Sequence, residues 1–196
     1  QLIERQLMPA YRGLREFVAN EYLPACRDSV GLDALPDGQA WYAHEARSST
    51  TTELTPAQIH DIGLAEVARI HAEMDAVMQQ VGFKGTRAEF FAFVSSDKQF
   101  EFASEDALLA AYRALEAKVN ERVPALFSLT PRAPFEIRPV EAFRAQSAAG
   151  GSYMPPSEDG SRPGVFYVNT YDLPTRKTWD AESLFLHEAI PGHHFQ

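Results

Sequence analysis

"VFYVNTYDLPTRKTWDAESLFLHEAIPGHHFQ", residues 165–196, decides how the chain is read. Val165-Phe166-Tyr167-Val168-Asn169 is a short aromatic and β-branched run, which predicts a strand. Asp172, Pro174 and Thr175 predict a loop, and a helix resumes near Asp180. A strand that feeds a helix carrying a cluster of imidazoles points to an α+β chain with its chemistry at the end of that helix. The stretch holds three of the six histidines in the sequence, with Glu188 beside the first.

The spacing of those histidines is unusual. In the His-Glu-x-x-His arrangement of many zinc hydrolases, two imidazoles one helical turn apart reach one zinc, and the glutamate between them acts as base. Here the position four residues after His187 is Pro191. On a regular helix, His193 would point about 240° away from His187, and His194 would lie about 10 Å further along the axis. Neither would share an ion with His187. Pro191 cannot give an N–H to the His187 carbonyl, and Gly192 tolerates whatever dihedral results. The sequence therefore predicts a widened, non-α turn between Ile190 and His193 that brings a second imidazole to the position the fourth residue normally takes. A helix that ends at Pro191-Gly192, followed by surface histidines, is the plain alternative.

Working outward, Leu7, Tyr11, Leu14, Val18 and Tyr22 predict one helix ending near Pro24. Residues 31–53 read as loop. Thr55-Pro56-Ala57-Gln58 opens a long helix through Ile59, Ile62, Val67, Ile70, Met74, Val77 and Val81, ended by Gly82. Thr86-Arg87-Ala88-Glu89 is a second capping box, and Ser104 opens a helix whose face is Leu108, Tyr112, Leu115 and Val119. These apolar stripes are expected in the core. After Pro131 the style changes. Phe135–Val140 predicts a second strand, and residues 147–164 are rich in Gly, Ser and Pro. The division expected is a helical region over 1–130 and, over 131–196, a small sheet plus the start of the histidine-bearing helix.

Composition narrows the classes of function. A net charge of -9 over 196 residues argues against a nucleic-acid partner. No apolar run approaches the roughly 20 residues of a membrane span. The single cysteine, Cys26, makes no internal disulfide. The chain opens on Gln1 and closes inside its densest polar cluster, so it is read as part of a longer polypeptide. Its compartment stays open, with periplasmic, lipoprotein, secreted and cytoplasmic locations all admissible.

"HEAIPGHHFQ", preceded by "DGSRPGVFYVNTYDLPTR", resembles the signature of the bacterial family known as domain of unknown function 885. The earlier stretch from "YLPACRDSVGLDALPDG" to "GLAEVARIHAEM" resembles the same family. That family is grouped with the gluzincin metallopeptidases, beside Taq-type carboxypeptidases and thimet-type oligopeptidases. The resemblance implies a helical body, a small sheet with an edge strand next to the metal-binding helix, a deep channel, and zinc as cofactor. It implies His187 as first ligand, Glu188 as general base, and His193 as second ligand with His194 its rival. It implies a third ligand, a glutamate, from a helix beyond Gln196, so that the rest of the polypeptide completes the site. It implies that Val165–Asn169 pairs with the backbone of a peptide substrate, which brings Tyr167 and Asn169 into the substrate site. Arg162 is then placed to meet a substrate carboxylate, and Tyr153 or Tyr167 to donate to an oxyanion.

The function expected is hydrolysis of short peptides by metal-activated water, with Glu188 taking the proton. The alternatives are a non-catalytic protein on the same fold and a metal-dependent hydrolase of non-peptide amides.

Overall fold

A computed structural model describes all residues, Gln1–Gln196. The chain divides into two compact units, Gln1–Ala76 and Val77–Gln196. In the first unit, α1 (Met8–Phe17) is flanked by π-type turns at Ile3–Leu7 and Val18–Tyr22, and a 3-10 turn at Leu23–Ala25 closes the segment. Its predicted stripe is present as a face of the helix, but Leu7, Tyr11, Leu14 and Tyr22 are exposed, so it is not a core here. Residues 31–53, expected as loop, contain a helix, α2 (Gly38–Thr50). Its start depends on space. A Cβ on Gly38 would stand 2.2 Å from the Leu32 carbonyl oxygen.

Helix α3 (Pro56–Gln80) starts where the sequence says it should. Thr55 Oγ1 accepts from the Gln58 N–H, and Gln58 Oε1 accepts from the Thr55 N–H, at 3.3 and 2.9 Å. It ends at Gly82, whose φ of +73° is the left-handed conformation that suits glycine.

The second unit holds the packed core. Helix α4 (Arg87–Ser96) begins at the Thr86–Glu89 capping box, and α5 (Glu105–Asn120) at the Ser104 cap. The short α6 (Val123–Leu126) leads to β1 (Phe135–Pro139), α7 (Ala142–Ala145), β2 (Gly151–Met154) and β3 (Gly164–Val168). Helix α8 (Thr178–Glu188) follows, and α9 (Gly192–Phe195) ends the chain. A mainly helical chain with one small sheet is the α+β architecture read from the sequence.

The sheet has the order β1-β3-β2, with β1 parallel and β2 antiparallel to β3. Strand β3 is therefore central. The expectation that Val165–Asn169 forms the edge strand is corrected by this order, since both its flanks are paired. Val165-Phe166-Tyr167-Val168 is almost continuously apolar, as a strand covered on both faces is, but that pattern does not say whether its edges are paired. Phe166 is fully buried and meets Tyr112 of α5 and Phe185 of α8 edge-on, at centroid distances of 5.1 and 5.9 Å. Burial there pushes the Tyr112 phenol up to about 12, with nearby Asp180 adding to the shift and Arg176 opposing it. Leu108, Val168, Ala181, Ala189 and Ile190 complete this core beneath the start of the histidine cluster.

Candidate metal centre

Helix α8 stops at Glu188 because the chain turns out of helical space. Ala189 has φ -115° and ψ -105°, and the Ile190–Pro191 peptide is cis. The chain then re-enters helix as α9. The sequence predicted a widened turn inside one helix; the structure has two helices with a break between them. The reason is Pro191, which has no N–H with which to continue the ladder. One π-type bond bridges the joint, from the His194 N–H to the Ala189 carbonyl at 3.1 Å. Gly192 lets the two helices meet closely: a Cβ there would lie 1.9 Å from the His187 carbonyl oxygen.

The break brings His187, Glu188 and His193 together. One ligand atom from each lies within 4.8 Å of the others. The His187 and His193 rings are 5.1 Å apart and nearly perpendicular, and His193 Nε2 is 3.9 Å from Glu188 Oε2. Zinc binds imidazole nitrogen and carboxylate oxygen at about 2.0–2.2 Å, which sets neighbouring ligand atoms about 3.4 Å apart in a tetrahedral site. Small side-chain rotations bridge the difference, so this donor set fits a divalent cation. Gln196 completes the orientation of His193. Its Oε1 is 2.8 Å from Nδ1, which leaves Nε2 as the ring nitrogen on the Glu188 side, 3.9 Å from Oε2.

His194 lies outside this group. Its Nδ1 is 2.7 Å from the Tyr153 hydroxyl, and its ring packs 5.2 Å from that of Phe135. Burial holds its pKa below the usual histidine value, opposed by a hydrogen bond to the Ala133 carbonyl. The two neighbouring histidines thus have separate surroundings, and His193 is the one turned toward His187.

The other expected site residues are placed unevenly. Tyr153 lines an open cleft of about 510 Å³ with Ser152, Pro155, Glu188, His193 and Gln196. Its hydroxyl is hydrogen-bonded to His194 Nδ1. Burial raises its pKa, and the charge of Arg162 opposes the rise. Arg162 itself is exposed, in the loop between β2 and β3. Tyr167 turns to the sheet face opposite Phe166, where the Arg144 guanidinium lies 4.8 Å from its ring centroid, and it does not line the cleft. Asn169 is corrected outright. It is 1% exposed, and its Nδ2 donates to the Ala145 and Ala148 carbonyls at 2.8 and 2.9 Å while Oδ1 accepts from the Tyr171 N–H. Every polar atom of that side chain is committed to the fold.

Sequence reading missed β2, the strand that borders the cleft. The Asn169 N–H donates to the Gly150 carbonyl at 3.0 Å, and Gly151 faces Val168 across the ladder. Alternation along an antiparallel pair then directs the N–H and C=O of Gly151 and Tyr153 away from β3, onto the open edge. No apolar signal marked this strand, because Gly151 and Ser152 resemble the loop around them.

Fold and site together define an α+β chain with a His/Glu cluster built across a helix break, at the edge of a three-stranded sheet. Residues 1–196 match the profile of a family described as a bacterial protein of unknown function, DUF885, and the chain belongs to that family. It is similar to the crystal structure of a "putative lipoprotein" from Colwellia psychrerythraea, with TM-score 0.90 and 31% identity. The match covers 99% of this chain and 34% of that one, so this chain spans about a third of the relative's length. No curated protein matches it. No helix is long and apolar enough to cross a membrane.

Proposed function

We propose that this chain carries the first part of the active site of a zinc-dependent peptidase of the gluzincin type. The observation that carries the reading is the convergence of His187, Glu188 and His193 within 4.8 Å despite a sequence spacing that a regular helix would not tolerate. His187 and His193 would hold the ion, and a group from outside residues 1–196 would complete its protein ligands. A bound zinc supplies Lewis acidity to the scissile carbonyl.

The remaining steps belong to the protein. Glu188 takes a proton from the attacking water and passes it to the leaving amine. Its carboxylate is suited to both, being partly sheltered yet open to the cleft. The open edge of β2 takes an extended peptide as a fourth strand through Gly151 and Tyr153. Arg162, in the loop above, is available to a substrate carboxylate. This set of groups favours peptides over other amides, because the strand edge recognises a repeating backbone. The description of the Colwellia relative supports an exported, lipid-anchored location for the whole protein.

The test is Glu188→Gln with zinc content and peptide turnover both measured. The variant should keep its zinc and lose about 10² to 10⁴ in rate. Normal turnover in the variant, or a wild-type protein without metal, would rule the reading out.

A further inference from the structure

We propose that Tyr153, clasped to His194 in the space left by Gly164, is the positioning residue that holds His193 at the metal centre. Its role in aiming a metal ligand rests on the metal-centre reading above; the clasp itself is a contact of the fold.

Helix α9 is four residues long, too short to hold a conformation by its own backbone. Two rings anchor it from one side, Phe195 against Phe127 at 5.1 Å and His194 against Phe135 at 5.2 Å. Its polar tie to the sheet is the hydrogen bond between the Tyr153 hydroxyl and His194 Nδ1, at 2.7 Å. The same tyrosine touches both histidines. Its ring lies nearly parallel to that of His193, at 6.2 Å and 18°, while its hydroxyl holds His194. Successive residues on a helix are set about 100° apart. Fixing His194 inward therefore fixes the direction in which His193 leaves α9.

Gly164 shows that the clasp needs room. Its φ is not in the left-handed region, so backbone freedom does not account for a glycine there. Space does: a Cβ at Gly164 would stand 2.2 Å from the Tyr153 hydroxyl oxygen and 2.8 Å from His194 Nδ1. Any larger residue on β3 at this point would occupy the place where the two side chains meet. Three residues far apart in sequence thus make one contact, and its effect falls on a fourth, His193.

Four variants test this: Tyr153→Phe, Gly164→Ala, His194→Ala and His194→Asn. The last keeps an acceptor close to where Nδ1 stands. Two readouts are needed. Amide hydrogen exchange of α9 is measured on the metal-free protein, and zinc affinity is measured by competition with a chromophoric chelator. Tyr153→Phe should speed α9 exchange by about three- to tenfold, the worth of one hydrogen bond. It should weaken zinc by about tenfold or more, as loss of outer-shell support does. Gly164→Ala and His194→Ala should do the same, and His194→Asn should recover most of both. If Gly164→Ala fails to fold, Tyr153→Phe and the His194 pair still decide. Unchanged α9 exchange in Tyr153→Phe would overturn the clasp. So would a Tyr153→Phe protein with normal zinc affinity and lost turnover, since its hydroxyl would then act on substrate. A wild-type protein that binds no zinc would end the metal-centre reading, while the exchange data would still stand or fall for the clasp.

Discussion

Gln196 and Asn169 are both amides near the end of their elements, and the fold uses them in opposite ways. Gln196 is exposed and meets a ring: its Oε1 lies 2.8 Å from His193 Nδ1, and when Nδ1 donates to it, Nε2 is the nitrogen left for an ion. Gln196→Leu should lower zinc affinity by about tenfold, and Gln196→Glu should raise it, because an anion is the stronger acceptor for that N–H. Equal affinities across the three proteins, measured by chelator competition, would remove Gln196 from the site. Asn169 is buried and holds two carbonyls and one N–H of the loops beside β3. Asn169→Ala should cost about 1–3 kcal/mol in urea unfolding, since three backbone groups lose their bonds, one of them on buried Ala145. Normal stability with weakened substrate binding would instead restore the role expected from sequence. At this scale the approach of His193 to His187 and Glu188 was legible, because Pro191 at the fourth position forces the helix to break before the next histidine. Asn169 was not, because a polar residue after a strand reads the same whether it faces a substrate or a backbone carbonyl.

Among the elements, those with local signals were read correctly and those defined by distant partners were not. Thr55, Thr86 and Ser104 each announce a helix through a side-chain oxygen that caps it, and each helix begins there. Strand β2 has no such mark. Gly151–Met154 becomes a strand only because β3, about a dozen residues on, offers it a ladder. The order of the strands is non-local in the same way, and nothing within Val165–Asn169 separates a central strand from an edge. The correction moves the expected peptide-binding edge to β2 and makes it specific. Gly151 and Tyr153 present outward N–H and C=O groups, and Ser152 and Met154 do not. A peptide substrate carrying one N-methyl group at the position that pairs with either residue should lose about five- to tenfold in kcat/KM, the worth of one backbone hydrogen bond. Methylation one residue along, where the amide points away from the strand, should have little effect. A flat response to methylation along the whole peptide would show that substrate does not add to the sheet.

Across the whole chain, burial is distributed unequally between the two units. In Gln1–Ala76 the one buried residue in a helix is Gly38, while Leu7, Tyr11, Leu14, Trp41, Ile62 and Val67 are exposed. Val77–Gln196 contains Leu108, Tyr112, Phe166, Val168 and Phe185 in one cluster, joined by a three-stranded sheet. Hydrophobic burial is the main term that offsets chain entropy, and single helices without it are marginal in water. The two units should therefore behave differently when made as separate polypeptides. Residues 77–196 should unfold in urea with a sigmoidal transition and show slow amide exchange in β3 and α8. Residues 1–76 should show reduced helicity, fast exchange throughout and a broad, non-cooperative response to urea. An amphipathic helix such as α1 with no apolar partner in its own unit is stable only where something else covers its stripe. A sigmoidal transition from residues 1–76 alone would show that the exposed stripe is not the liability its composition implies, and that the first unit draws its stability from its helix caps and surface ion pairs.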